Sequence, residues 1–303
     1  MKLKTKDLLT GDEISSKEFL ELIDFSIKLK KQNKTGKEKP LLKNKTLAMI
    51  FEKPSTRTRV SFEVGMSQLG GHAVNLSSNQ MQHSRGESVE DTAKTLSCYV
   101  DAIVARVYEH DFIEELAKHS TIPVINGLSN SYHPCQTLAD LMTIKEHKKK
   151  FKDLKIAWIG DGNNVCNSLI FGCSKTQIQI SIATPKGFEP NSDVVKKASK
   201  YTSVDLTNDP EFAVRDADVV MTDTFVSIHD SDAKSKKFLP TFQVNESLMN
   251  KAKDNAIFMH CLPAKRDQEV TSAVIDGLQS VVWDEAENRL HTQKALLLSL
   301  LSI

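Results

Sequence analysis

The sequence predicts an α/β protein of two doubly wound domains, each a parallel sheet flanked by helices. Short apolar runs alternate with helical patterns through most of the chain, the signature of βαβ units. The 303 residues suffice for two domains with sizeable cores. Polar and charged residues gather just after the apolar runs, where open α/β sheets bind their ligands.

In the first half, strands are expected at 46–51 (TLAMIF), 72–77, 102–107 and 122–126, and helices at 56–69, 88–100, 111–119 and 135–149. Pro54 stands just ahead of the first of these helices, and Ser55 or Thr56 is a natural N-cap. Val60, Val64 and Phe62 with Met66 supply its apolar faces, and Gly70-Gly71 stops it. Pro134 initiates the helix over 135–149. Its lysine-rich end, 145–153, reads as a solvated face at the passage between the two halves.

In the second half, strands are expected at 155–160, 178–184, 204–207, 218–223, 256–261 and 280–283, and helices at 164–175, 191–201, 243–253 and 286–301. The segment 32–40 reads as an exposed loop and 227–240 as a long mobile one.

Composition excludes several classes. The 40 Lys and Arg nearly balance 39 Asp and Glu, which gives no support to nucleic-acid binding or electrostatic membrane attachment. The N-terminus lacks the apolar core of a signal peptide, and the C-terminal ALLLSLLSI is too short to span a bilayer. Five cysteines without a CxxC pair argue against a disulfide framework or a structural zinc cluster. A reduced, cytoplasmic protein is expected.

The stretch KPSTRTR (53–59) reads as a turn into a helix. A helix N-terminus offers free N–H groups and partial positive charge, so hydroxyls and a guanidinium there suit phosphate. Arg57 and Arg59 lie about 200° apart around the helix, so one of the two is structural. The plainer alternative is a capped helix with two surface arginines. HPCQTLADL (133–141) sets His133 before a Pro-initiated helix with Gln136 on its first turn; a satisfied structural histidine is the plainer reading. Arg106, near the end of an apolar strand, forms either an interior ion pair or a second clamp on a buried anion. Cys261 follows His260 directly, but neighbours on a strand point to opposite faces, which disfavours a Cys–His dyad; a buried inert cysteine is the alternative. WIGDGNNV invites a dinucleotide-binding reading, yet Val165 stands where the fingerprint needs its third glycine.

STRTR with HPCQTLADL resembles the paired signature of the aspartate/ornithine carbamoyltransferase family. QHSRGESVEDTAKTLS (82–97) is similar to the family's neighbouring-subunit loop and the helix after it. IGDGNN (159–164), TDTFVS (222–227), MHCLP (259–263) and DEAENRLHTQKALL (284–297) resemble the ornithine branch, and the likeness covers nearly the whole chain. It implies a carbamoyl-phosphate-binding domain over 1–135 completed by the C-terminal helix 286–303. It further implies an interdomain helix at 136–149, an ornithine-binding domain over 150–285, and an active site in the cleft between the domains.

By this resemblance, Ser55, Thr56, Arg57 and Thr58 hold the phosphate of carbamoyl phosphate. Arg106, His133 and Gln136 hold its carbamoyl end, with Cys261, Leu262 and Arg289 completing that site. Gln82 reaches into the site of an adjacent subunit of a homotrimer or an assembly of trimers. Asn164, Asp223, Ser227 and Ile228 face the amino acid. Thr58, Arg106 and His133 donate to the developing oxyanion, Asp223 and Cys261 orient the amine, and no cofactor or metal is required. The implied activity is carbamoyl transfer to the δ-amine of L-ornithine in arginine biosynthesis.

The chain departs from the ornithine pattern D-x-x-x-S-M-G. Ile228 replaces Met and stiffens the side chain, and His229 replaces Gly and removes backbone freedom. Putrescine or a modified ornithine, such as the N-acetylated form, therefore stands behind ornithine as acceptor. A non-catalytic binding protein on the same fold is the alternative from another class.

Overall fold

The computed structural model describes residues 1–52, 54–77, 81, 86–226 and 232–302. The chain divides into two compact units, Met1–Met142 with Glu287–Ile303, and Thr143–Ala286.

The first unit contains α1 (Ser16–Lys34), β1 (Thr46–Phe51), α2 (Thr56–Gln68), β2 (His72–Ser77), α3 (Val89–Tyr99), β3 (Ala102–Arg106), α4 (His110–His119), β4 (Val124–Leu128) and most of α5 (Pro134–Lys148). Its strands pair in parallel in the order β2-β1-β3-β4. The chain therefore leaves β1 in one direction for β2 and returns on the other side for β3, which puts a topological switch point at the carboxyl ends of β1 and β3. The apolar runs form strands because both faces are covered: Ala48, Ile50, Ile103 and Ala105 are buried in one core cluster, and the alternating Leu47, Met49 and Val104 are buried as well.

The second unit contains β5 (Lys155–Ile159), α6 (Asn164–Thr176), β6 (Gln179–Ala183), α7 (Ser192–Ala198), β7 (Val204–Thr207), α8 (Pro210–Val214), β8 (Val219–Thr222), a 3₁₀ turn at Asp232–Lys237, α9 (Glu246–Met249), β9 (Ile257–His260) and α10 (Ser272–Ile275). The long α11 (Val282–Leu300) begins here and ends in the first unit. The parallel order β7-β6-β5-β8-β9 repeats the same logic, with its switch point between β5 and β8. Phe225 and Phe238 stack in this core with ring centroids 4.6 Å apart, and Phe188 and Phe242 meet Phe238 edge-on. Such pairs add about 0.5–1.5 kcal/mol each beyond area burial. Two parallel sheets flanked by helices are thus present.

Several element expectations need correction. The helix α1 was legible but is absent from the expected elements: Ser15 and Glu18 form a capping box, and Phe19, Leu22, Ile23, Ser26, Leu29 and Lys30 make its buried stripe. The expected strand at 280–283 is the approach to α11. Its backbone bonds Phe258 on both sides, through Phe258 N to Gln279 O and Val281 N to Phe258 O, and then turns helical. A short apolar run cannot distinguish these outcomes. The helix expected over 243–253 contracts to Glu246–Met249, started by the Asn245 cap. On α2, Phe62 and Met66 are buried, but Val60 and Val64 lie on the outer face.

One buried group makes the first unit acid-sensitive. His291 on α11 is almost fully buried, close to Lys294, Glu287, Lys30 and Glu38, and Lys294 itself is paired with Glu38 at 2.8 Å. Burial first, and then the Lys294 charge, push the His291 pKa from 6.5 down to about 4. The folded state therefore keeps this ring neutral while the unfolded chain takes up a proton. The associated stability is complete above pH 6.5 and is lost as pH falls toward 4, to the extent of ~3 kcal/mol. His291→Gln is expected to flatten that part of the acid limb; denaturant unfolding at pH 7 and pH 4.5 checks it.

Candidate active site

Both groups of functional side chains sit beyond the carboxyl ends of their sheets. In the first unit, β1 leads into α2, whose N-cap is Ser55 in extended conformation with no side-chain cap bond. The start of α2 thus combines unsatisfied backbone donors with the Ser55 and Thr56 hydroxyls and with Arg57, which is half-buried. Arg59 instead pairs with Glu63 across one exposed turn at 3.3 Å. Of the two arginines, Arg59 is therefore the one engaged in a surface ion pair.

Thr58 is buried and receives two guanidinium donors at Oγ1, from Arg106 Nη1 and Arg289 Nη2, each at 3.3 Å. Arg106 arrives from the end of β3, where the register slips between Ala105 and Arg106. Arg289 comes from α11, and its Nη1 donates to Gln136 Oε1 at 2.6 Å. Gln136 lies on the first turn of α5 and donates through Nε2 to Asp140 Oδ1 at 2.8 Å. In the amide orientation its neighbours demand, Gln293 donates to Ser61 Oγ at 2.6 Å and accepts from Arg289 Nη2 at 2.9 Å.

His133 is buried immediately before α5, and its carbonyl accepts from Gln136 N. Desolvation, then the charges of Arg289, Arg106 and Arg57, hold its pKa well below the ordinary histidine value. The ring is neutral near pH 7 and can present one N–H without adding a fourth positive charge. Burial pushes the neighbouring Cys135 thiol up to about 11, and it donates to the Asn126 carbonyl. It is no nucleophile.

In the second unit, Asp223 follows β8 and is buried. It accepts from Asn163 Nδ2 at 2.8 Å on one oxygen and from the Cys261 thiol at 3.3 Å on the other. Asn163 is also the N-cap of α6, accepting from Val165 N and Cys166 N. Asn164 stands beside it at the first helical position, and its side chain accepts from Val165 N. Cys261 follows β9. The ring of His260 is committed elsewhere: Nδ1 accepts from Leu262 N at 2.9 Å, and Nε2 faces the buried Glu269 at 3.2 Å. No Cys–His dyad is formed, because the thiol is aimed at Asp223. Leu262 takes a left-handed backbone (φ 58°), which this turn imposes on a residue with a Cβ.

Asp223, His260 and Cys261 place one donor atom each within 4.8 Å of one another, a set whose types suit zinc. With both His260 nitrogens engaged, a cation there would have to compete with the bonds that form the turn. The two glycines of IGDGNN have local reasons. Gly160 adopts φ 131° under the Phe225 ring, and a Cβ on Gly162 would lie 2.2 Å from Pro190 N. The space a pyrophosphate would need beside Gly162 is filled by backbone.

Of the candidates offered by the sequence, the structure thus gathers Thr58, Arg106, Gln136 and Arg289 into one bonded cluster with His133 beside it, and joins Asp223 to Cys261. Gln82, Ser227, Ile228 and His229 lie outside the described residues. Asn163, Asp140 and Gln293 are hydrogen-bonded neighbours of the candidates that the sequence expectations lack. Two of them had a signal, since Asp140 and Gln293 each stand four residues after a candidate on a helix, where side chains share a face.

The carbamoyl-P binding domain of the aspartate/ornithine carbamoyltransferase family matches residues 6–146, and the Asp/Orn binding domain of the same family matches residues 152–300. The chain belongs to the aspartate/ornithine carbamoyltransferase family. Among relatives within it, an ornithine carbamoyltransferase of Cenarchaeum symbiosum is 60% identical over 301 residues, covering 99% of each chain. One from Bacillus thuringiensis is 52% identical over 99% of this chain and 95% of its own. The solved ornithine carbamoyltransferase from Pyrococcus furiosus superposes with a TM-score of 0.94 at 50% identity, over 98% of this chain and 97% of that one. That from Thermus thermophilus gives 0.91 at 42% identity, over 98% and 99%. Among the described residues, no helix of this family member is long and apolar enough to cross a membrane.

Proposed function

We propose that the protein transfers the carbamoyl group of carbamoyl phosphate to the δ-amine of L-ornithine, giving L-citrulline and phosphate. Family membership and the relatives named ornithine carbamoyltransferase support this reading. The observation that carries the chemistry is the buried Thr58–Arg106–Arg289–Gln136 cluster beside a neutral His133. The start of α2, with Ser55, Thr56, Arg57 and Thr58, holds the phosphate. The deprotonated amine attacks the carbamoyl carbon, and the C–N bond forms as negative charge collects on the carbonyl oxygen. Thr58, Arg106 and His133 donate to that oxygen. As it collapses, the C–O bond to phosphate breaks, the attacking nitrogen gives up a proton to the departing phosphate, and the resulting hydrogen-phosphate dianion stays on Arg57 and the α2 amides. Arg289 and Gln136 complete the carbamoyl site on this unit.

A free alkylamine titrates near ~10.4, so the amine must lose a proton before attack. The carboxylate of Asp223, with the Cys261 thiol bonded to it, is the group that orients the amine. Asn164, Ser227 and Ile228 complete the amino-acid site. The altered loop at Ile228 and His229 keeps putrescine and N-acetylornithine in the test set. Phosphate release from carbamoyl phosphate, measured beside citrulline formation with L-ornithine, putrescine, N-acetylornithine and aspartate, decides among them. Turnover with L-ornithine alone is expected; preference for another amine would overturn the acceptor, and silence with all four would favour a binding protein.

The same reading includes a cytoplasmic homotrimer, or an assembly of trimers, working in the arginine-forming direction, with Gln82 serving an adjacent subunit. Apolar side chains left on the outside of the first unit support self-association: Val60 (49% exposed), Val64, Val74 and Tyr99 (75%). Light scattering of the purified chain reads the state directly.

A further inference from the structure

We propose that Asp140 is a positioning residue of the carbamoyl site: its carboxylate turns the Gln136 amide so that oxygen, not nitrogen, faces the carbamoyl group. The inference rests on the role proposed above for Gln136.

Asp140 is fully buried on α5, one turn beyond Gln136, and accepts from Gln136 Nε2 at 2.8 Å. A carboxylate only accepts, and a guanidinium only donates. Gln136 lies between one of each, because its Oε1 takes the Arg289 Nη1 hydrogen at 2.6 Å. Turned over, the amide would set oxygen against the Asp140 carboxylate and N–H against the guanidinium, two faults in a buried place. Asp140 and Arg289 therefore enforce a single orientation. Arg289 is engaged at Thr58 by its other nitrogen, so this arrangement is continuous with the group of donors around Thr58.

The chemical consequence concerns the ligand. The carbamoyl group offers a carbonyl oxygen, which needs donors, and an –NH₂, which needs an acceptor. Thr58, Arg106, Arg289 and His133 supply donors in abundance. Gln136 Oε1 is an acceptor in their midst, and Asp140 keeps it so. Acetyl phosphate has nearly the same shape but carries a methyl group where carbamoyl phosphate has –NH₂. Asp140 thus acts at one remove to distinguish a carbamoyl from an acetyl group.

The test uses the purified full chain and two variants, Asp140→Leu, which removes the acceptor while keeping the same branching, and Asp140→Asn, which can still turn an oxygen toward Gln136. The readouts are kcat/KM for carbamoyl phosphate, the inhibition constants of acetyl phosphate and inorganic phosphate, and the thermal midpoint. D140L is expected to lose about 10- to 100-fold in kcat/KM for carbamoyl phosphate, the cost of an unmatched buried amide. The inhibition constants of acetyl phosphate and phosphate stay within about two-fold, because their contacts do not involve the amide oxygen. D140N stays near wild type. Should D140L fail to fold, Asp140→Ala carries the same expectation, since a methyl group offers the Gln136 amide no acceptor. Equal weakening of all three ligands, an indifferent D140L, or a D140N as poor as D140L would overturn the proposal. An inactive wild type would refute the transfer reading itself, which is a different result from an active wild type with an indifferent D140L.

Discussion

Arg57→Ala is expected to lower kcat/KM for carbamoyl phosphate by roughly 10³-fold, the scale of removing one preorganised donor to developing charge. Arg59→Ala, two residues on, is expected to stay within about two-fold of wild type, because an exposed i,i+4 pair contributes only ~0.3–0.5 kcal/mol. The contrast is geometric. Arg57 is close enough to His133 for its charge to help hold that imidazole neutral, whereas Arg59 turns outward to Glu63. Inorganic phosphate should bind Arg57→Ala weakly and Arg59→Ala normally. Steady-state kinetics with phosphate as product inhibitor measures both. If Arg57→Ala kept its turnover and its phosphate inhibition, the anion site would not be at the start of α2.

The second large effect is expected at Asp223→Asn. The change keeps the volume but removes the charge that would meet and orient an alkylammonium. It also places an amide opposite the Asn163 amide, which now donates to Oδ2 at 2.8 Å. A loss of about 10²- to 10³-fold in kcat/KM for ornithine is expected, in the range found when one partner of a buried charge pair is removed. Binding of carbamoyl phosphate alone should be far less affected, because its proposed phosphate ligands at the start of α2 are untouched. Isothermal titration with carbamoyl phosphate, beside ornithine kinetics, separates the two. A variant that lost both would show that Asp223 supports folding rather than the amine.

Local sequence was sufficient for much of this protein. The alternation of apolar runs and helical patterns placed most strands because burial on both faces of a parallel sheet demands continuous apolar side chains. Pro54 and Gly70-Gly71 bounded α2, since helix starts and stops are one-residue effects. The failures have the same origin. The approach to α11 at 280–283 and the helix expected over 243–253 are short apolar stretches whose state depends on what they pack against, and β9 decided the first of them. By itself, then, the sequence determined the fold class, the two-sheet plan and the placement of polar residues just after the strands.

Tertiary structure decided which of those residues meet. Thr58, Arg106, Gln136 and Arg289 come from α2, β3, α5 and α11, and only the fold joins residues 58 and 289 at one hydroxyl. It set the neutral charge state of His133, which arises from burial and from three arginines distant in sequence. It also committed the His260 ring to a turn and aimed Cys261 at Asp223. Hydrogen bonds and desolvation act over a few ångströms in space, so no pattern along the chain could state them.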